Sequence, residues 1–250
     1  MSGHSKWANI KHRKAAQDAK RGNLFQKLVR AIIVAAKEGG GDPSMNMRLK
    51  TAIERAKAVS VPMENITKGI KRGTGEIDGA TYEELTYEAY GPSGVALLIE
   101  VMTDNRNRTT PEIRALLTRN GGQMGEAGSV VWMFERKGIL EVKGKGLDED
   151  ALLSHGLEAG MTDMESSSEG YTLYCEPSDL LTLKEALEKA KYSVESAETP
   201  MAPKTPMEIT DVEAARKVIR LIDALEEHDD TQNVYSNFDL PDDVVAQIEE

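Results

Sequence analysis

The 250-residue sequence predicts an α+β protein, with a basic helical-bundle head followed by two α+β modules, one of them ferredoxin-like and inserted in the other. Three observations carry this expectation. The first 72 residues hold 16 Lys or Arg against 5 Asp or Glu and read as helices throughout, whereas the other 178 hold 15 against 37 and alternate strands with helices. Glycines from Gly73 to Gly79 separate the two regimes. Finally, the stretch after Arg136 runs β-α-β-β-α-β, the order of two split β-α-β units.

In the head, Lys6 to Arg21 lacks Pro and Gly and reads as a helix, broken by Gly22-Asn23. A second helix from Leu24 to Lys37 spaces Leu24, Phe25, Leu28, Val29, Ile32 and Ala36 on one face and stops at Gly39-Gly40-Gly41. Asp42-Pro43-Ser44 has the chemistry to cap a third helix ending near Ser60, and Pro62 with Glu64 starts a fourth that stops at Gly73. Strands are expected at Tyr82–Tyr90 and Val95–Thr103 around Gly91-Pro92-Ser93-Gly94, then a helix at Thr110–Asn120 with Thr110 as cap and Pro111 in its first position. A strand follows at Val130–Phe134.

The ferredoxin-like stretch places strands at Ile139–Lys143, Met164–Ser167, Tyr171–Glu176 and Ser193–Glu198, with helices at Glu149–Ala159 and Leu180–Lys191. Pro200, Pro203 and Pro206 mark a connector. A helix from Asp211 to Glu227 turns Val212, Ala215, Val218, Ile219, Ile222 and Leu225 inward, and a strand at Asn233–Phe238 follows. These late elements are expected to complete the β-β-α begun at residue 79. The domains are therefore 1–78, 79–135 with 207–250, and 136–206.

Composition narrows the function. Cys175 is the sole cysteine, so no intramolecular disulfide or cysteine-based zinc site forms, and its neighbours Tyr171, Leu173 and Tyr174 suit a core strand in a reducing compartment. No apolar leader or membrane-length run is present, which predicts a cytoplasmic location and no membrane partner. His4, His12, His155 and His228 are scattered, and Gly144-Lys145-Gly146 lacks the later glycine of a dinucleotide loop. No Gly-x-Ser-x-Gly or Walker loop occurs either, so neither an enzyme, a small-molecule substrate, a metal nor a cofactor is expected.

Charge points instead to a polyanion. At about 100° per residue, Lys6, Arg13 and Lys20 share one stripe of the first helix and Lys14 and Arg21 the next, with Trp7 and Ile10 inside the basic arc and Lys11 nearby. Lysines and arginines reach phosphates, and an aromatic can lie against sugar or base. Lys27, Arg30, Arg48, Lys50, Lys68, Lys71 and Arg72 extend the positive character. The plainer alternative is a solvated face, with Trp7 sealing the bundle.

A second basic feature is Asp104-Asn105-Arg106-Asn107-Arg108-Thr109-Thr110-Pro111, where Arg106 and Arg108 sit at a helix start able to receive an anion, or where Asn105, Asn107 and Thr110 merely form a turn and cap. Acidic runs at Asp148-Glu149-Asp150 and Glu226-Glu227-His228-Asp229-Asp230 read as solvated helix ends. Their alternative is a contact for a basic protein partner or an intramolecular clasp on the head. Residues 138–206, with 6 Lys or Arg against 14 Asp or Glu, would repel phosphate and suit a protein partner.

Ser2-Gly3-His4-Ser5-Lys6-Trp7-Ala8-Asn9-Ile10-Lys11-His12-Arg13-Lys14, followed by Asp18-Ala19-Lys20-Arg21-Gly22, closely resembles the opening signature of the YebC family. The likeness continues through Tyr87-Glu88-Ala89-Tyr90-Gly91-Pro92, the Asp104–Thr109 loop, Gly128-Ser129-Val130 and Trp132-Met133-Phe134. The resemblance implies a three-domain cytoplasmic protein with a helical head, described as a DNA-binding transcriptional regulator. Relatives that include the mitochondrial translational activator of cytochrome oxidase subunit I imply a competing role, a ribosome-associated translation factor that binds rRNA.

Overall fold

In the computed structural model, residues 21–144, 146–166 and 170–249 are described, and they divide into two compact units, 132–206 and 21–131 with 207 onward. The expected helix at Lys6–Arg21 lies outside the described residues except for Arg21. In the head, α1 (Arg21–Gly39) buries Leu28, Ile32, Ala35 and Ala36 against α2 (Met47–Ala58) and α3 (Met63–Gly73), which contribute Leu49, Ile53, Ala56 and Ile66. Gly73 lets α3 approach α1, because a Cβ there would collide with the carbonyl oxygen of Ile33 and the Cβ of Ala36.

Two head boundaries differ from expectation. Gly22-Asn23 does not break the chain but lies within α1. A helical glycine costs only about 1 kcal/mol relative to alanine, and Asn23 Nδ2 is tied to the carbonyl of Glu227 at 3.1 Å. The cap of α2 is Asn46 rather than Asp42 or Ser44, which form a local turn through Asp42 Oδ1. Asn46 is buried because it serves two helices: Oδ1 accepts from Leu49 N at 3.0 Å while Nδ2 donates to the carbonyls of Ala35 and Gly40 at 2.7 and 2.8 Å.

Beyond the head, β1 (Glu83–Tyr90) and β2 (Ala96–Thr103) pair antiparallel with Tyr87 opposite Ile99. Next come α4 (Arg106–Arg119) and β3 (Gln123–Met124). After the second unit the chain returns as β10 (Met207–Glu208), α7 (Val212–Glu227), β11 (Thr231–Ser236), β12 (Phe238–Asp239) and α8 (Asp242–Glu249), the last not foreseen. The sheet order is β11-β2-β1-β3, so the returning strand completes the sheet begun before residue 131 and residues 132–206 are an insertion. Leu97, Ile99 and Val101 on one face of β2 pack with Ile113 and Leu117 of α4 and Ala215, Val218, Leu221, Ile222 and Leu225 of α7. Ile219, expected inward, only borders this core, and Leu221 takes a central place.

The inserted unit contains β4 (Phe134–Arg136), β5 (Gly138–Lys143), α5 (Glu149–Glu158), β6 (Met161–Ser166), β7 (Gly170–Cys175), α6 (Leu180–Lys189), β8 (Ser193–Glu198) and β9 (Met201–Pro203). Its antiparallel sheet, in order β6-β7-β5-β8, has the ferredoxin-like arrangement. The presumed connector forms β9, which pairs with β4 as a two-stranded stem.

Cys175 belongs to the core of this unit, beside Leu140, Leu173 and Leu183. Burial, reinforced by Asp179 and Glu176, pushes its thiol up to about 11. A thiol reagent at pH 8 is therefore expected to leave the native chain unmodified and to react fully once denaturant is added, which a colorimetric thiol assay checks.

Candidate nucleic-acid interface

The start of α4 lies earlier than Thr110 and Pro111 suggest. Asn105 is the cap, its Oδ1 accepting from Arg108 N at 3.2 Å, and Pro111 lies inside the helix. Proline interrupts a helix because it has no N–H for the carbonyl four residues back. Here the preceding turn is held from outside: Thr109 Oγ1 donates to Asp230 Oδ2 at 2.6 Å, and Arg108 Nη2 reaches the same oxygen at 2.6 Å. Thr110 is used elsewhere, its hydroxyl 2.6 Å from the Tyr87 hydroxyl.

Asp230 is the centre of a polar node. Its side chain is 2 % exposed, and its other oxygen receives Arg30 Nη1 from α1 at 3.0 Å. Burial alone would push this carboxyl up, but the hydrogen bonds from Thr109 and Arg108 and the charges of Arg108 and Arg30 outweigh it, so the carboxyl titrates below its ordinary range. Arg108 is correspondingly held above its ordinary value by its hydrogen bond to Asp230. The backbone joins in: Asp230 N–H donates to His228 Nδ1 at 3.2 Å and Met102 N–H donates to the Asp230 carbonyl at 2.8 Å. The other ring nitrogen, Nε2, lies 3.0 Å from Glu112 Oε2.

The carboxyl end of α7 completes the node. Lys27 Nζ donates to the Glu226 carbonyl at 2.5 Å, and Arg30 also donates to the Asp229 carbonyl. Helix carboxyl ends expose carbonyls without partners and carry partial negative charge, so cations stabilise them. The Glu226–Asp230 run is thus a clasp on the head, made among the described residues through three backbone carbonyls and the Asp230 carboxylate, rather than a set of solvated ends.

Arg48 pairs with Glu38 and Glu84, and Lys68 with Glu64. The expectation that Lys27 and Arg30 extend an open basic surface is corrected accordingly, since they bond to carbonyls and a carboxylate of residues 226–230, whereas Arg48, paired with two carboxylates, keeps 45 % of its side chain exposed. Arg106 is exposed, and no carboxylate pairs with it among the described residues. Arg108 keeps 44 % of its side chain exposed despite its bond to Asp230.

A second anchor lies at the loop before the inserted unit. Glu88 accepts the backbone N–H groups of Gly128, Val130 and Val131 at 2.6, 2.7 and 2.9 Å. Those donors are unavailable to a ladder, so Val130–Phe134 is not the strand expected; a 3-10 turn at Val131–Met133 precedes β4. Burial works against the Glu88 carboxylate, and the four N–H groups of residues 128–131 overcome it and lower its pKa. Glu88→Ala is expected to cost about 1–3 kcal/mol, read in urea, with faster amide exchange at Gly128, Val130 and Val131. Because the folded pKa is depressed, this stabilisation is present above the ordinary value of 4.5 and is lost as pH falls below it.

The TACO1/YebC N-terminal domain family matches residues 5–76, and the TACO1/YebC second and third domain family matches residues 82–238. A "Probable transcriptional regulatory protein" of Chlorobaculum parvum is 55% identical over 251 residues, covering 100% of both chains, and one of Halothermothrix orenii is 51% identical over 252 residues with the same coverage. The chain belongs to the TACO1/YebC family.

The fold comparison agrees. A conserved hypothetical protein of Aquifex aeolicus superimposes with a TM-score of 0.85 at 47% identity, over 95% of this chain and 98% of that one. Of the sites expected in this TACO1/YebC chain, Lys6, Trp7, Lys11, Arg13, Lys14 and Lys20 lie outside the described residues, as does the side chain of Arg21. Arg106 and Arg108 lie in the first turn of α4. In the sequence, Asp230 figures only within the acidic run whose alternative reading is a clasp on the head, Thr109 only within the Asp104–Pro111 loop, and Glu88, like Gly128-Ser129-Val130, only in a string that carries the family likeness. Among the described residues no helix is long and apolar enough to cross a membrane, and no cluster of His, Cys, Asp or Glu is placed to hold a metal ion.

Proposed function

We propose that this TACO1/YebC protein is a non-enzymatic, cytoplasmic nucleic-acid-binding regulator. Its basic segment, Lys6, Trp7, Lys11, Arg13, Lys14, Lys20 and Arg21, contacts the phosphate backbone, and Arg106 and Arg108 add contacts from α4. The observation that carries this reading is the shared use of Asp230. One carboxylate receives Arg30 of α1, which follows the basic segment in the sequence, and Arg108 of α4, so a cation of the head and a cation of the α4 loop meet at one node. Relatives named as probable transcriptional regulators favour DNA as the target.

A second reading, a translation factor on structured RNA, is favoured by how the described head uses its side chains. The apolar faces of α1, α2 and α3 form a core, while Lys27, Arg30 and Arg48 are engaged in contacts within the chain. Recognition by phosphate and shape, which suits RNA, needs no base-reading helix. The inserted unit, with its acidic excess, offers a surface to a basic protein partner.

Crosslinking in cells followed by parallel sequencing of bound DNA and RNA separates the readings. Enrichment at promoters supports the DNA reading, and enrichment on rRNA supports the translation reading. Recovery of neither above a mock control would sink both.

A further inference from the structure

The apolar cores of the head and of the α+β half it adjoins share no residue: Ile32, Leu49, Ile53 and Ile66 belong to one cluster, and Leu97, Ile113, Leu117 and Val218 to another. The links between α1 and that half include a cluster of hydrogen bonds and an ion pair. Asn23, Lys27 and Arg30 form one stripe of α1 at spacings of four and three, and all three turn toward residues 226–230. Arg30 also lies 5.4 Å from the centroid of the Tyr82 ring, between head and β1.

The polar node separates differently from a shared core. Parting two apolar faces exposes them to water at about 25 cal/mol per Å². Parting a cation from a carbonyl or carboxylate exchanges one polar partner for water, so the net cost per charged hydrogen bond is small. A competing anion lowers that cost further, because it offers the cation an equivalent partner.

We propose that the head is a latched module, held on the α+β half by the Asp230 node and released as a rigid body when phosphates of a polyanion capture Arg30 and Lys27. In the docked state these two cations are masked. In the released state they join the basic segment that precedes them in the sequence, so docking and phosphate binding compete. The competition rests on the nucleic-acid function proposed above; the latch does not.

The test is a distance measurement by double electron–electron resonance, with spin labels at Lys57→Cys on α2 and Arg119→Cys on α4 in a Cys175→Ser background. The parent chain at low salt is expected to give one narrow distance. Asp230→Asn should raise the long-distance population roughly tenfold or more, the loss expected for a charge-assisted hydrogen bond. Arg30→Gln, which leaves Asp230 its Arg108 and Thr109 partners, should do the same with no loss of folding.

A short DNA duplex or an RNA hairpin that binds in a gel shift should open the parent in the same way. A narrow distance retained in both variants, with circular dichroism equal to the parent, would overturn the latch. A nucleic acid that binds without moving the distance would overturn the competition. If neither probe binds, the proposed function falls and takes the competition with it, whereas the latch stands or falls on the two variants alone.

Discussion

Replacing Asp230 by alanine is expected to destabilise the unit formed by the head and the α+β half by about 3–5 kcal/mol, the range for removing one partner from a buried charge pair. The loss is this large because three donors depend on one carboxylate. Arg30 loses its ion pair, Arg108 loses a bond at 2.6 Å, and the buried Thr109 hydroxyl loses the acceptor that holds the first turn of α4. Asparagine should cost less, since its one remaining oxygen still accepts from Thr109.

The pH dependence has a definite sign. The folded pKa of Asp230 lies below the ordinary 3.8, so its contribution is fully present above that value and disappears as pH falls through the folded pKa. Urea titrations of the parent between neutral pH and pH 3 should therefore show a steeper acid decline than those of Asp230→Asn. Parallel declines in the two proteins would mean the carboxylate is not ionised in the native state.

Changing Lys6, Lys11, Arg13, Lys14, Lys20 and Arg21 together to glutamine is expected to weaken nucleic-acid binding by at least about a hundredfold near physiological salt, through lost counter-ion release. The salt dependence is the sharper readout. Each phosphate contact contributes about 0.9 to the slope of log affinity against log salt on duplex DNA and about 0.7 on single strands. The slope should fall in step with the charges removed, and Arg106→Gln alone should lower it by about one contact or less. Equal affinity and equal slope in parent and variant would remove the basic segment from the interface. Fluorescence anisotropy over a salt series measures both quantities, and thermal unfolding confirms that the variant remains folded.

How much of this was legible in the sequence can be seen element by element. The α+β class, the ferredoxin-like order and the return of the chain to complete the first sheet were readable, because burial imposes period 3.6 on α1 and α7 and period 2 on β5. The errors share a cause. Gly22-Asn23, Thr110-Pro111 and Val130–Phe134 each follow a sound local rule, and each is overridden by a partner distant in the chain: Glu227, Asp230 and Glu88 respectively. A turn or strand preference is worth about 1 kcal/mol, whereas the hydrogen bonds to the Asp230 and Glu88 carboxylates are worth about 1.5–3 kcal/mol each.

For the candidate site the division is similar. Charge counting located the basic segment and Arg106–Arg108 without any coordinates, since a run of like charge is a property of composition. It could not separate an open cation from an occupied one. Lys27 and Arg30 look the same in sequence as Lys50 or Lys71, and only their contacts with residues 226–230 set them apart, while Arg48 stays at the surface beside Glu38 and Glu84.

By itself, then, the chain's order of residues determined the fold class, the family likeness and the separation of positive head from negative body, because periodicity, motif and net charge are summed along the chain. Which charges face one another was decided only in the folded state. An ion pair such as Arg30–Asp230 depends on a separation of 3.0 Å between residues 200 positions apart, and such proximity arises from the packing of α1, α4 and α7 rather than from any local pattern.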